Sequence, residues 1–223
     1  MKVIPIFDLD DTLYPEISYV YCGFEAVAKY LEQEFGWKSS DSLNEMKKSV
    51  IAVGRGDIFD NLLRSKGKYS KTNVKKCVRV YRNHNPDISL NDEVKELLTK
   101  LRGPRFLVTD GNKIVQAKKV LALGLQSYFT KVYITHRYGL HNCKPSIYCF
   151  NLIRILLNCD WNDMVYIGDN PVKDFVNLKP LGMKTIRVLT GPYSKVSVAP
   201  EFDADLYVDN LNQLLTLSSL DFV

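Results

Sequence analysis

Short apolar runs rich in β-branched and aromatic residues recur through the second half of the chain. Between them lie stretches whose apolar residues return at helical spacing. The runs are Val3–Phe7, Phe106–Val108, Val132–Ile134, Met164–Ile167, Thr185–Leu189 and Leu206–Val208. The intervening stretches are Lys113–Leu123, Pro145–Leu157, Val172–Leu181 and a last segment, Asn210–Leu217. Alternating strand and helix predicts an α/β fold with a doubly wound parallel sheet. Gly103-Pro104, Gly111-Asn112, Leu123-Gly124, Leu181-Gly182 and Gly191-Pro192 fall at the joints, where turn residues belong. Pro5 resists the pattern, because proline donates no ladder hydrogen bond. Either the first strand pairs on one side only at that point, or it starts later.

The alternation fails between Leu13 and about Leu90. There Phe24, Val27, Ala28, Leu31 and Phe35, and later Ile58, Leu62 and Leu63, repeat with a helical period, and no convincing strand appears. The expectation is a core of residues 1–13 and 91–223 with an inserted all-helical domain at 14–90.

With 46% hydrophobic and 25% charged residues, the 223-residue chain has globular composition, which excludes disorder and collagen-like repeats. No apolar run approaches the ~18 residues that span a bilayer. The stretch Met1–Phe7 is too short for a signal peptide and is followed at once by acids. The five cysteines are odd in number and form no Cys-x-x-Cys pair, which suits reduced thiols in a cytoplasmic protein. They show no zinc-ligand spacing with His84, His136 or His141. A net charge of +5 is too small to argue for nucleic acid.

Three apolar runs end in polar clusters: Asp8-Leu9-Asp10-Asp11-Thr12, Thr109-Asp110-Gly111-Asn112, and Gly168-Asp169-Asn170-Pro171-Val172-Lys173-Asp174. Ligands of open parallel sheets bind outside the carboxyl ends of the strands, so these clusters should converge. Carboxylates crowded together repel unless a cation intervenes, and Lys144 supplies part of that charge. Hard oxygen donors without His or Cys point to Mg²⁺. Thr109 with the amides of Asp110 and Gly111 would form an anion-binding nest before a helix N-terminus. Asp11 and Asn112 read as local turn or capping residues.

These clusters, with Lys144-Pro145 between the second and third, resemble the four motifs of the haloacid dehalogenase superfamily of aspartate-nucleophile phosphohydrolases. The helical insertion between the first and second motifs resembles the phosphoglycolate phosphatase-like and nucleotidase-like subfamily. The resemblance implies a Rossmann-like core with a helical cap. It also implies a Mg²⁺-dependent phosphatase of a small phosphorylated metabolite; a cytoplasmic monomer or homodimer is the expectation beside it. Asp8 would be the nucleophile. Asp10 would be the general acid and base, with a carboxyl pKa raised by its surroundings. Asp8, the Asp10 backbone carbonyl and Asp169 would hold the metal. Thr109, Asp110, Gly111 and Lys144 would bind phosphate, and Asp174 would orient Lys144 or a metal-bound water. Dehalogenases lack an Asp at the place of Asp10, and the mutase branch carries other residues where Asp11-Thr12 stands. A phosphotransferase or mutase on the same core, and a non-catalytic binding module, are the alternatives.

In that subfamily cap loops usually decide the substrate. Val53-Gly54-Arg55-Gly56-Asp57 is the best loop for this, with Arg55 gripping a second phosphate or a carboxylate, against the plain reading of a solvated turn. Tyr14, Pro15 and Glu16 stand where the family has a short flap beside the site. The basic stretch Arg64, Lys66, Lys68, Lys71, Lys75, Lys76, Arg79 and Arg82 reads either as a solvated helix face or as an attractor of anionic substrates.

Overall fold

The structure is a computed structural model that describes residues 3–217, so the outermost residues of the expected core lie outside it. The chain forms two compact units. One comprises the residues up to Glu16 and from Ser89 onward; the other is Ile17–Ile88.

The first unit is built on six parallel strands: β1 (Ile4–Phe7), β2 (Phe106–Thr109), β3 (Lys131–Ile134), β4 (Met164–Gly168), β5 (Lys184–Val188) and β6 (Leu206–Val208). Their order is β3-β2-β1-β4-β5-β6, which is the Rossmann-like, doubly wound arrangement. Pro5 fits because β1 pairs on one side only at that point. Its register partner is Val165 in β4, and pairing with β2 begins at Ile6 opposite Phe106. Side chains alternate across the sheet, and Ile6, Phe106, Val108, Tyr133, Met164 and Tyr166 share a core with Phe150 and Ile153 of a covering helix. That helix, α7, is Tyr148–Leu157.

Two other helices of this unit are α5 (Asp92–Lys100) and α6 (Lys113–Ala122). Asn91 caps α5 by accepting from the Val94 amide at 2.8 Å. Asn112 caps α6 by accepting from the Ile114 amide at 3.0 Å.

The expected helix Val172–Leu181 does not form. The segment is a series of turns ending in a 3₁₀ turn, Lys179–Leu181. Pro180 has no amide to donate, and the Asp174 carboxylate takes the Asn170 amide at 3.0 Å, so side-chain bonding replaces a helical ladder. The helix expected from Pro145 begins only at Tyr148, and the last segment is a 3₁₀ helix, Leu211–Thr216.

The second unit contains α1 (Glu16–Phe35, beginning at the end of the first unit), α2 (Ser39–Val53), α3 (Ile58–Ser65) and α4 (Lys71–Asn83). Val20, Phe24, Val27, Ala28, Leu31, Met46, Leu62 and Leu63 form its core. Part of the basic stretch is engaged on this unit's own surface. Lys76 pairs with Glu34 at 2.7 Å, Lys66 with Glu45 at 3.4 Å, and Arg64 stacks 3.6 Å above the Tyr69 ring. Arg55 lies in the exposed loop between α2 and α3.

Candidate active site

The strand order reverses between β1 and β4, so their carboxyl ends flank the crevice where open α/β sheets bind ligands. Phe7 is in register with Ile167, and the Asp8 amide donates to the Ile167 carbonyl at 2.8 Å. Asp8 and Asp169 thus leave adjacent strands side by side. With Asp174 they form a buried trio whose carboxylate oxygens lie within 4.8 Å of one another.

Asp174 reaches this place because Gly168 has no side chain. A Cβ on Gly168 would stand 2.5 Å from Asp174 Oδ2. Lys144 Nζ enters from the third motif, 3.0 Å from Asp8 Oδ1 and 2.7 Å from Asp174 Oδ1, and donates to the Tyr166 hydroxyl at 2.8 Å.

One buried ammonium does not offset three buried carboxylates. Burial pushes the Asp8 carboxyl up to about 6; Lys144 opposes this and Asp174 adds to it. Burial, then Asp8 and Asp174, push Asp169 up to about 8. Asp169 has no ion pair among the described residues. Burial alone would lower the Lys144 pKa, yet Asp174 and Asp8 carry it well above the ordinary lysine value. Excess negative charge on hard oxygen donors is the setting a divalent cation suits; with Asp174 paired to Lys144, Asp8 and Asp169 are donors of the kind and number Mg²⁺ takes from a protein.

Thr109 ends β2, fully buried, and its hydroxyl accepts from Gln116 Nε2 at 2.6 Å. Asp110 links three loops. Its Oδ1 accepts from the Thr135 hydroxyl at 2.6 Å and the Lys144 amide at 3.1 Å, and Lys173 Nζ lies 3.6 Å from its Oδ2. Gly111 follows with φ +132°, a backbone conformation suited to glycine.

Asp10 is not part of the carboxylate trio. Its Oδ1 accepts from Lys119 Nζ at 2.7 Å and from the Tyr14 hydroxyl at 2.8 Å, and its Oδ2 from Gln116 Nε2 at 2.8 Å. The raised pKa expected at Asp10 is not found. Burial pushes it up, but the charge and hydrogen bond of Lys119, with the bonds from Gln116 and Tyr14, outweigh burial and hold it below the ordinary carboxylate value. Tyr14 is buried with its hydroxyl committed to Asp10, so it bears on the site through Asp10. Asp11 accepts from the Glu16 amide at 3.0 Å, at the start of α1.

The sequence reading missed Gln116, Lys119 and Tyr166. The first two left a trace, since residues 116, 119, 120 and 123 lie at i, i+3, i+4 and i+7, and Val120 and Leu123 are buried there. Two polar residues therefore occupy core-facing positions of α6.

Comparison with known proteins agrees with this architecture. A glyceraldehyde 3-phosphate phosphatase of Methanocaldococcus jannaschii is 28% identical over 222 residues, covering 95% of each chain. The protein of that name from Pyrococcus furiosus is 28% identical over 225 residues, 96% of this chain and 92% of its own. Among solved structures, magnesium-bound YfnB of Bacillus subtilis matches with a TM-score of 0.67 at 17% identity, covering 96% of this chain and 97% of that one. The model of the haloacid dehalogenase-like hydrolase family matches residues 5–188, and the chain belongs to that family.

Proposed function

We propose that the protein is a Mg²⁺-dependent phosphatase of a small phosphorylated metabolite, working through an aspartyl-phosphate on Asp8. The observation that carries this reading is the Lys144 ammonium, 3.0 Å from Asp8 Oδ1 at the strand-order reversal. Relatives named as phosphatases of glyceraldehyde 3-phosphate support the substrate class and make that compound the first to test.

In the first half of the reaction an Asp8 carboxylate oxygen attacks phosphorus as the ester P–O bond breaks. The departing oxygen takes the proton of the Asp10 carboxyl and leaves as the alcohol. In the second half Asp10 takes a proton from water, whose oxygen attacks phosphorus and releases phosphate and free Asp8. The Asp10 carboxylate held by Lys119 is the proton-accepting form used there. An incoming phosphate dianion adds negative charge beside Asp10 and favours the protonated form that the first half needs.

Lys144 neutralises the phosphoryl oxygens and Asp8, and Asp174 holds Lys144 in place. The Thr109 hydroxyl and the amides of Asp110 and Gly111 bind the phosphoryl group. Asp8, Asp169 and the Asp10 backbone carbonyl would hold Mg²⁺, which supplies neutralisation of the charge on the transferring group when bound. Phosphate-monoester hydrolysis needs up to ~10²¹-fold acceleration, more than one residue can supply, so the nucleophile, lysine and cation act together.

The test is phosphate release from glyceraldehyde 3-phosphate, sugar phosphates, nucleotides and phosphoglycolate, with Mg²⁺ and with EDTA. Release that requires Mg²⁺ and is lost in Asp8→Asn is expected. No release from any compound by folded protein with Mg²⁺ would count against the reading.

A further inference from the structure

The inward face of α6 carries two polar side chains where packing alone would take Leu or Met. Gln116 and Lys119, one helical turn apart, are each 1% exposed. A buried ammonium is costly unless well paired, and Lys119 meets Asp10 Oδ1 at 2.7 Å and Glu16 Oε1 at 2.8 Å. Gln116 Nε2 bridges Asp10 Oδ2 at 2.8 Å and the Thr109 hydroxyl at 2.6 Å. A Cβ on Gly111 would stand 3.2 Å from the Gln116 side chain, so the glycine leaves room for this bridge. Both oxygens of the Asp10 carboxylate are therefore held by one helix, which also holds the hydroxyl at the end of β2.

We propose that Gln116 and Lys119 are positioning residues of the reaction. They fix the Asp10 carboxylate relative to Thr109, so that α6 sets where the leaving oxygen receives its proton. The proposal rests on the phosphatase reading above, in which Asp10 serves the leaving oxygen. A pair that only fastened α6 to the sheet would affect all substrates alike. A pair that positions Asp10 matters most for esters whose leaving oxygen needs a proton.

The experiment compares kcat/KM for an alkyl ester, glycerol phosphate, and an aryl ester, p-nitrophenyl phosphate, whose phenolate leaves without a proton. Lys119→Met is expected to lose about 10²–10³-fold on the alkyl ester and no more than about tenfold on the aryl ester, within the range general acid catalysis supplies. Lys119→Arg should recover part of the alkyl activity. Gln116→Met should change the ratio in the same direction by a smaller factor. It adds no charge and carries the test if Lys119→Met fails to fold. Equal losses on both esters, or no loss, in the folded variants would overturn the positioning role while Asp8→Asn remains inactive. Full release by Asp8→Asn would overturn the underlying reading, and the positioning role with it.

Discussion

Gly168 and Asp174 are matched by shape: the missing side chain of one is the space filled by the carboxylate of the other, with Oδ2 only 2.5 Å from where a Cβ would lie. That carboxylate cannot step aside freely, because it accepts the Asn170 amide at 3.0 Å and meets Lys144 at 2.7 Å. Gly168→Ala should therefore destabilise the fold by about 1–3 kcal/mol, the usual scale of overpacking, and lower activity by displacing Asp174. Denaturant unfolding beside a kinetic assay checks both. Unchanged stability with full activity would mean the contact relaxes without cost.

Lys144 is the only cation in ion-pair contact with Asp8 and Asp174 among the described residues. Removing it leaves buried carboxylates without compensation, which costs about 3–5 kcal/mol when one partner of a buried pair is lost. Lys144→Met should lose that order of stability at neutral pH and regain part of it at pH 5, where the carboxylates can be protonated. Activity should fall by at least about 10²-fold, the scale of losing one fixed charge-stabilising group. Guanidinium unfolding at the two pH values is the measurement.

The acidic trio makes stability depend on pH and metal together. Asp8 and Asp169 are raised in the folded protein, to about 6 and about 8. Each contributes stability that is fully present below the unfolded carboxylate pKa and is lost as pH rises through its folded value. Asp10 is lowered, so its contribution is present above that unfolded value and lost only on acidification below it. Lys144 is raised above the ordinary lysine range, so its contribution is fully present throughout this range and is lost only at pH above the ordinary lysine value. Between about pH 4 and pH 8 the metal-free protein should lose stability as pH rises, and Mg²⁺ should restore more of it at pH 8 than at pH 5. Melting temperature with EDTA and with Mg²⁺ across this range checks the sign; a Mg²⁺ effect that shrinks with rising pH would contradict it.

Asp110 acts through its acceptors. Its Oδ1 serves the Thr135 hydroxyl and the Lys144 amide. Asp110→Asn retains a carbonyl acceptor and should keep most of the stability, whereas Asp110→Ala leaves both donors short and should cost about 1–3 kcal/mol. Thermal unfolding of the two variants side by side distinguishes them.

Legibility in the sequence followed what local pattern can encode. Apolar runs ending in Asp8, Thr109 and Asp169 announce strands and their carboxyl ends, and strand order then brings those residues together. Asn112 and Asp11 read as local turn or capping residues, and they bond to nearby amides. Lys119 was not legible. Beside Lys118 it looks like one more solvated cation, and its burial depends on carboxylates at Asp10 and Glu16, far away in the chain. Tyr166 was hidden in an apolar run, since only its hydroxyl tip departs from core behaviour. The missing helix at Val172–Leu181 has the same origin. Its apolar spacing is helical, but the Asp174 carboxylate bonds Lys144 and the Asn170 amide, partners that helical spacing does not announce.

In the proposed reaction Asp8 carries the phosphoryl group. The measurement is rapid acid quench during turnover of a ³²P-labelled substrate, followed by peptide mapping. Label on the peptide containing Asp8 at early times, discharged as phosphate appears and absent from Asp8→Asn, is the predicted result. Full turnover by protein that carries no label at any time, or label that persists in Asp8→Asn, would contradict it.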